Sequence, residues 1–268
     1  MYKRILVPVD GSRFSEQILP YVSWLARKTG AELALFRAVD NAEERSSAEG
    51  ALDRLASGFQ AKAICAEGKD VTQTILDEAA RVPGTLVAIT SHGRSGVMRA
   101  VLGSTALNVL RTGKDPIMVF RPRGTEGAQV DGSIERIVVP LDGSELSESI
   151  LPQAAELTRW IGARLIVVSA LDPAPRSALP DIPVSDVMES SYVHSRATQL
   201  AERYGIEVGW EVLHGDPSAA IPAFVRGLPS TMLAMTTHGR SALQSALVGS
   251  VTAASLREGG VPVFTRMP

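Results

Sequence analysis

The chain has a single cysteine, Cys65, in 268 residues. An internal disulfide and a cysteine-rich metal centre are therefore excluded, and the scarcity fits a reducing compartment. Histidine is also scarce. His92, His194, His214 and His238 show no HxH or HExxH spacing, so no resident metal site is expected. Neither sign of charge dominates: the formal net charge of −2 argues against a general nucleic-acid or membrane-surface role. No apolar run reaches the roughly 20 residues of a membrane helix. The start, Lys3-Arg4-Ile5-Leu6-Val7, lacks the longer apolar region of a signal peptide, so a cytoplasmic location is expected. Several catalytic signatures are missing. Gly113-Lys114-Asp115 lacks both the upstream glycine and the Ser/Thr of a P-loop, and there is neither a nucleophile elbow nor a Gly-x-Gly-x-x-Gly turn after a strand.

What is present is an ordinary globular composition, 45% apolar and 21% charged, in a chain long enough for two domains. Its main feature is an internal repeat. Residues 4–30 match residues 136–162 at an offset of 132: Arg4-Ile5-Leu6-Val7-Pro8-Val9-Asp10-Gly11-Ser12 aligns with Arg136-Ile137-Val138-Val139-Pro140-Leu141-Asp142-Gly143-Ser144. Thr90-Ser91-His92-Gly93-Arg94 returns as Thr236-Thr237-His238-Gly239-Arg240, now at an offset of 146. The second copy therefore carries 14 more residues (146 − 132), and the Pro-rich stretch Asp172 to Pro183 is the natural place for most of them.

Each copy reads as alternating strands and helices. In the first, apolar runs predict strands at Ile5–Val9, Ala31–Val39, Ala61–Ala66, Thr85–Thr90 and Pro116–Phe120. Ser12 is a candidate N-cap for a helix with Phe14, Ile18, Val22 and Leu25 inward and Gly30 at its end. Leu146, Ile150, Ala154 and Leu157 repeat that stripe, and Pro20 and Pro152 predict a kink or an opened turn within the two helices. Further helices are expected at Ala42–Gly58, at Asp70–Val82 with Val71, Ile75 and Ala79 inward, and at Gly103–Arg111. The second copy repeats the plan, with strands near 135–141, 163–170, 206–212, 230–236 and 261–265 and a long helix at Ser185–Tyr204. The expected division is a first domain at 1–122, an aperiodic linker at 123–134 rich in Gly and charge, and a second domain at 135–268. The fold class is α/β: two tandem doubly wound domains with parallel sheets covered by helices on both faces.

In such sheets, ligands bind beyond the carboxyl ends of the strands where strand order reverses. Asp10 ends the first strand and Thr90 the fourth, as do Asp142 and Thr236 in the second copy. Nine residues separate Gly93 from Gly103-Ser104-Thr105, and nine separate Gly239 from Gly249-Ser250-Val251. A glycine turn leaving a buried strand, then Gly-Ser opening a helix, suits phosphate: glycine admits close backbone approach and free helix-start N–H groups favour anions. Asp10 and Asp142 either cap the next helix or face a ligand. Arg94 and Arg240 either pair with phosphate or are solvated loop charges. His92 and His238 are read as turn-stabilising or packing residues.

These segments resemble the universal stress protein family over nearly the whole chain, in two tandem copies. The matching features are Val7-Pro8-Val9-Asp10-Gly11-Ser12, the Ser15-Glu16 and Leu19-Pro20 helix, the Ser91-His92-Gly93-Arg94-Ser95-Gly96 turn with its following Gly-Ser, and the endings Asp115 to Phe120 and Val261 to Phe264. The resemblance implies a five-stranded parallel sheet of order 3-2-1-4-5 in each unit, and ATP binding. By that analogy Asp10 and Asp142 contact the adenosine, Val9 with Val39 and Leu141 with Ala170 line the adenine slot, and Gly93, Gly103, Ser104 and Thr105 hold ribose and phosphates, as do Gly239, Gly249, Ser250 and Val251. The fullest family pattern has glycine where this chain has Thr90 and Thr236. Mg²⁺ would arrive on the nucleotide's phosphates.

The resulting expectation is an ATP-binding protein acting in stress response by nucleotide-dependent signalling or protection. The alternatives are a protein-interaction module of the same fold without nucleotide, and a slow ATPase. The two units are expected to form a pseudo-two-fold pair through their apolar fifth strands, with a homodimer as the corresponding assembly of whole chains and no nucleic-acid or membrane partner.

Overall fold

A computed structural model describes residues 1–91, 102–113, 115–122, 131–171, 184–239 and 248–268. The chain divides into two compact units, Met1–Ser133 and Ile134–Arg266. The first contains β1 (Arg4–Pro8), α1 (Arg13–Glu16), α2 (Leu19–Thr29), β2 (Glu32–Val39), α3 (Ala42–Gly58), β3 (Lys62–Glu67), α4 (Val71–Ala80), β4 (Thr85–Thr90), α5 (Ser104–Thr112) and β5 (Ile117–Phe120). The second contains β6 (Arg136–Pro140), α6 (Glu145–Glu148), α7 (Leu151–Ile161), β7 (Arg164–Leu171), α8 (Val184–Tyr204), β8 (Val208–His214), α9 (Pro217–Arg226), β9 (Thr231–Thr236), α10 (Ser250–Glu258) and β10 (Val263–Arg266). Among the described residues no helix is long and apolar enough to cross a membrane.

In the first unit β1 pairs in parallel with β2 on one side and β4 on the other, β2 with β3, and β4 with β5, giving the order β3-β2-β1-β4-β5. The second unit pairs β6 with β7 and β9, β7 with β8, and β9 with β10 in the same way. The registers also repeat: Arg4 faces Glu32 and Thr85, and Arg136 faces Arg164 and Thr231. Consecutive residues Ile5, Leu6 and Val7 are fully buried, as are Ile137, Val138 and Val139. Because successive strand side chains point to opposite faces, each central strand is covered on both. The reversal of strand order falls between β1 and β4, and between β6 and β9.

The helix expected after each first strand is two helices. Ser12 and Ser144 cap α1 and α6 by accepting from the N–H groups of Ser15 and Ser147, but these helices end after one turn. Pro20 and Pro152 then lie in the first turn of α2 and α7, where the missing N–H costs nothing. This break turns the front of the predicted stripe outward: Leu146 is 37% exposed, whereas Ile150, Ala154 and Leu157 are fully buried. Gly30 and Gly162 end α2 and α7 in the left-handed conformation, with φ of 72° and 66°, as their position predicts. Of the expected linker, residues 123–130 lie outside the described residues, as does the segment 172–183 assigned to the insertion. The end of that linker is not a solvated connector, since Gly132, Ser133 and Ile134 are buried.

The first unit also buries an ion pair that no pattern in the sequence announces. Arg4 Nη1 lies 2.8 Å from Glu78 Oε1, its Nε donates to Thr85 Oγ1 at 3.0 Å, and both charged side chains are nearly inaccessible. Removing one partner strands the other charge in a dry environment. Glu78→Ala should therefore lower the unfolding free energy of the first unit by about 3–5 kcal/mol in urea denaturation, whereas Arg4→Met with Glu78→Leu should restore most of it. A loss of less than about 1 kcal/mol for the single substitution would contradict this role.

Candidate functional site

Each site begins at the end of the first strand of its unit. Val9 N–H still donates to Phe36 O at 2.8 Å, so the chain stays in the sheet to the edge of the crevice. Asp10 then turns back: its Oδ1 accepts from Ser12 N–H at 2.9 Å and from Ser12 Oγ at 2.6 Å. In the second unit Asp142 Oδ1 accepts from Ser144 N–H at 3.0 Å and Ser144 Oγ at 2.6 Å. The two expected roles of these aspartates thus separate. The serine is the helix cap, and the aspartate holds the serine while lining a cavity. Nearby Glu16 has its carboxyl raised above the ordinary glutamate range, by burial first, with Arg13 opposing and Asp10 reinforcing the shift.

The second wall is the end of the fourth strand. Ser91 N–H donates to Phe120 O at 2.8 Å, and its carbonyl then accepts from Gly103 N–H. In the second unit Thr237 N–H donates to Arg266 O at 3.0 Å and its carbonyl accepts from Gly249 N–H at 2.8 Å. The chain leaves the strand and comes back to the same point, where a helix starts. The intervening segments 92–101 and 240–247 lie outside the described residues, and with them Gly93, Arg94, Arg240 and His92. His238 fits the turn role assigned to it: its carbonyl accepts from Thr236 Oγ1 at 2.6 Å, and Nδ1 sits 3.0 Å from Thr237 Oγ1.

Gly103 and Gly249 are the N-caps of α5 and α10, extended in backbone and without any side-chain cap. The first N–H groups of both helices are thus left for another acceptor, at the positive end of the helix dipole. Two motif glycines of the second unit, Gly239 and Gly249, sit at close approaches. A Cβ on Gly249 would stand 3.0 Å from Thr237 O, and one on Gly239 would collide with the Asp142 carboxylate. The glycine of the turn and the aspartate of the first strand, far apart in sequence, are therefore in direct contact.

Between these walls the first unit holds a cavity of about 370 Å³. Asp10, Thr90, Gly103, Ser104 and Thr105 give it a polar side, while Val9, Phe36, Val71, Ile75 and Ile89 give an apolar one. Val71, expected to point inward from α4, is 40% exposed and faces this space. Arg37 and Glu44 also line it, with Arg37 Nη2 3.7 Å from Glu44 Oε1. In the second unit Leu141, Asp142, Ala170, Thr236, Gly239 and Gly249 line the equivalent cavity with Ser250 and Val251, but its volume is only about 90 Å³. One expected residue is misplaced: Val39 is buried and does not line the cavity, and Ala38 stands there instead. The repeat itself contained the correct choice, because Ala170 minus the offset of 132 is Ala38. Arg37, Glu44, Ile75 and Ile221 were not foreseen as lining residues, since nothing in their local pattern distinguishes them from ordinary strand and helix positions.

The contact between Gly239 and Asp142 yields a measurable coupling. Gly239→Ala should displace the carboxylate and lower the stability of the second unit by about 1–3 kcal/mol. Gly239→Ala combined with Asp142→Ala should cost clearly less than the sum of the two single substitutions in urea denaturation; simple additivity would contradict the contact.

The universal stress protein family model matches residues 1–67, 42–121 and 133–265. The chain is 28% identical over 183 residues to the universal stress protein Rv2005c of Mycobacterium tuberculosis, covering 67% of this chain and 60% of that protein. It is 22% identical to Slr1230 of Synechocystis over 304 aligned positions, covering 98% and 99% of the two chains. A universal stress protein from Archaeoglobus fulgidus shares the fold with a TM-score of 0.71 at 19% identity, over 100% of this chain and 99% of that one. Two strand-reversal crevices, each closed by a glycine that starts a helix, and a family match that runs through both units lead to one conclusion: the chain belongs to the universal stress protein family.

Proposed function

We propose that this protein binds ATP at the carboxyl end of its sheet and acts in the stress response through its nucleotide-bound state. The observation that carries the reading is the start of α5. It has no side-chain cap and opens on a cavity of about 370 Å³, within the ordinary range for a small-molecule site. The N–H groups of the first turn and the hydroxyls of Ser104 and Thr105 suit phosphate oxygens. The apolar side formed by Val9, Val71 and Ile89 suits a flat base, and the Asp10 carboxylate lines the same space for the nucleoside. Thr90 lines the cavity beside them, so threonine at the position of the family's extra glycine leaves the space open. Mg²⁺ would come with the phosphates.

The groups assigned to this site bind rather than react. They are amides, hydroxyls, the Asp10 carboxylate engaged by Ser12 and the Glu44 carboxylate near Arg37, which favours retention of ATP over rapid hydrolysis. Pairing of the two units, assembly of whole chains into a homodimer and a cytoplasmic location belong to the same proposal.

Calorimetric titration of nucleotide-stripped protein with ATP and Mg²⁺ tests it. Saturable binding is expected, weakened roughly 10- to 100-fold by Asp10→Ala, as loss of a hydrogen bond to a charged group implies. Absence of binding at millimolar ATP would overturn the proposal.

A further inference from the structure

We propose that the two sites are unequal: the first unit is the nucleotide site, and the second is a constricted copy that does not take the nucleotide. This rests on the ATP-binding reading and adds which half of the chain performs it. The cavities differ about fourfold in volume, about 370 Å³ against about 90 Å³, although the backbone plan is the same. Side chains at equivalent places differ in the same sense. Val9 of the first unit corresponds to Leu141, and Ile89 to the longer, unbranched Met235, both on the cavity wall. Ser91 corresponds to Thr237 and Ala106 to Thr252, so the second cavity's lining carries two extra methyl groups and one extra hydroxyl at these places.

That hydroxyl also holds the end of β9. Thr252 Oγ1, fully within the core, donates toward Thr236 O at 3.1 Å and lies 3.3 Å from Thr237 O. Ala106 has no atom with which to do this. The second unit thus spends a side chain of its helix start on its own strand end, where the first unit leaves space. Polar groups suited to phosphate change in the same direction. Thr105 becomes Val251, removing a hydroxyl from the first turn, and Arg37, which lines the first cavity, is matched in β7 by Ser169, whose Oγ donates to Glu189. Volume and the hydroxyl of the helix's first turn favour the first unit, and the extra cation there, Arg37, is accompanied by Glu44.

The residue exchange is directly testable, because each side chain is already accommodated by the same backbone in the other unit. ATP binding should be measured by calorimetry on the full chain and on two variants. The wild type should bind one ATP per chain. Val9→Leu, Ile89→Met, Ser91→Thr and Ala106→Thr together should abolish that binding or weaken it by roughly 100-fold, while leaving the thermal melt cooperative. Leu141→Val, Met235→Ile, Thr237→Ser and Thr252→Ala together should keep the first site and add a second, weaker one. Two equivalent ATP molecules per wild-type chain would overturn the inequality while leaving ATP binding intact. Loss of wild-type binding through the second-unit substitutions alone would assign the site to the wrong unit. No binding by any of the three proteins would remove the ATP reading itself.

Discussion

The site depends on one backbone hydrogen bond in each unit, from the glycine N–H that starts the fifth-strand helix to the carbonyl that ends the fourth strand. Gly103 donates to Ser91, and Gly249 donates to Thr237. This bond makes a long excursion begin and end at one place. It fixes the first turn of α5 and α10 beside the strand-reversal crevice, and it uses the glycine's own N–H to do so. The next N–H groups then point outward with no side chain to cap them. A Cβ at Gly249 would stand 3.0 Å from the same carbonyl that accepts the bond. The opposite wall is held by an equally short-range device, the Asp-Ser turn that follows β1 and β6.

Much of this was legible in the sequence because it repeats. An isolated Asp-Gly-Ser or Gly-Ser is weak, but the same elements at matched spacing in two halves define two crevices. Helix α3 forms over the expected Ala42–Gly58, with Asn41 capping it by accepting from Glu44 N–H. What stayed hidden depends on contacts between segments distant in sequence. The Arg4–Glu78 pair joins residues 74 apart and has no periodic signature. Val71 reads as a core position by spacing, yet it sits in the first turn of α4, where the crevice and not the core lies opposite. The break before Pro20 was expected as a kink, but not that it would leave Leu146 of the second copy outside the core. The misplacement of Val39 came from choosing the bulkier neighbour of Ala38, when the alternation of side chains along a strand makes a one-residue shift a change of face.

The two copies share their strand order and differ in side chains that line the crevice. The Asp-Ser turns after the first strands and the glycine caps of α5 and α10 repeat in both. The side chains on the crevice wall are where one copy gains volume without unfolding the unit. Leu141, Met235, Thr237 and Thr252 line the smaller cavity from strands and a helix equivalent to those that form the crevice in the first unit.

The central claim is that ATP lies on the open start of α5, and backbone amide NMR tests it most directly. On titration with ATP and Mg²⁺, the account predicts large, saturable shifts for the amides of Gly103, Ser104 and Thr105, with those of Gly249, Ser250 and Val251 unmoved. Saturable shifts confined to other parts of the chain, with the α5 amides unchanged, would contradict it.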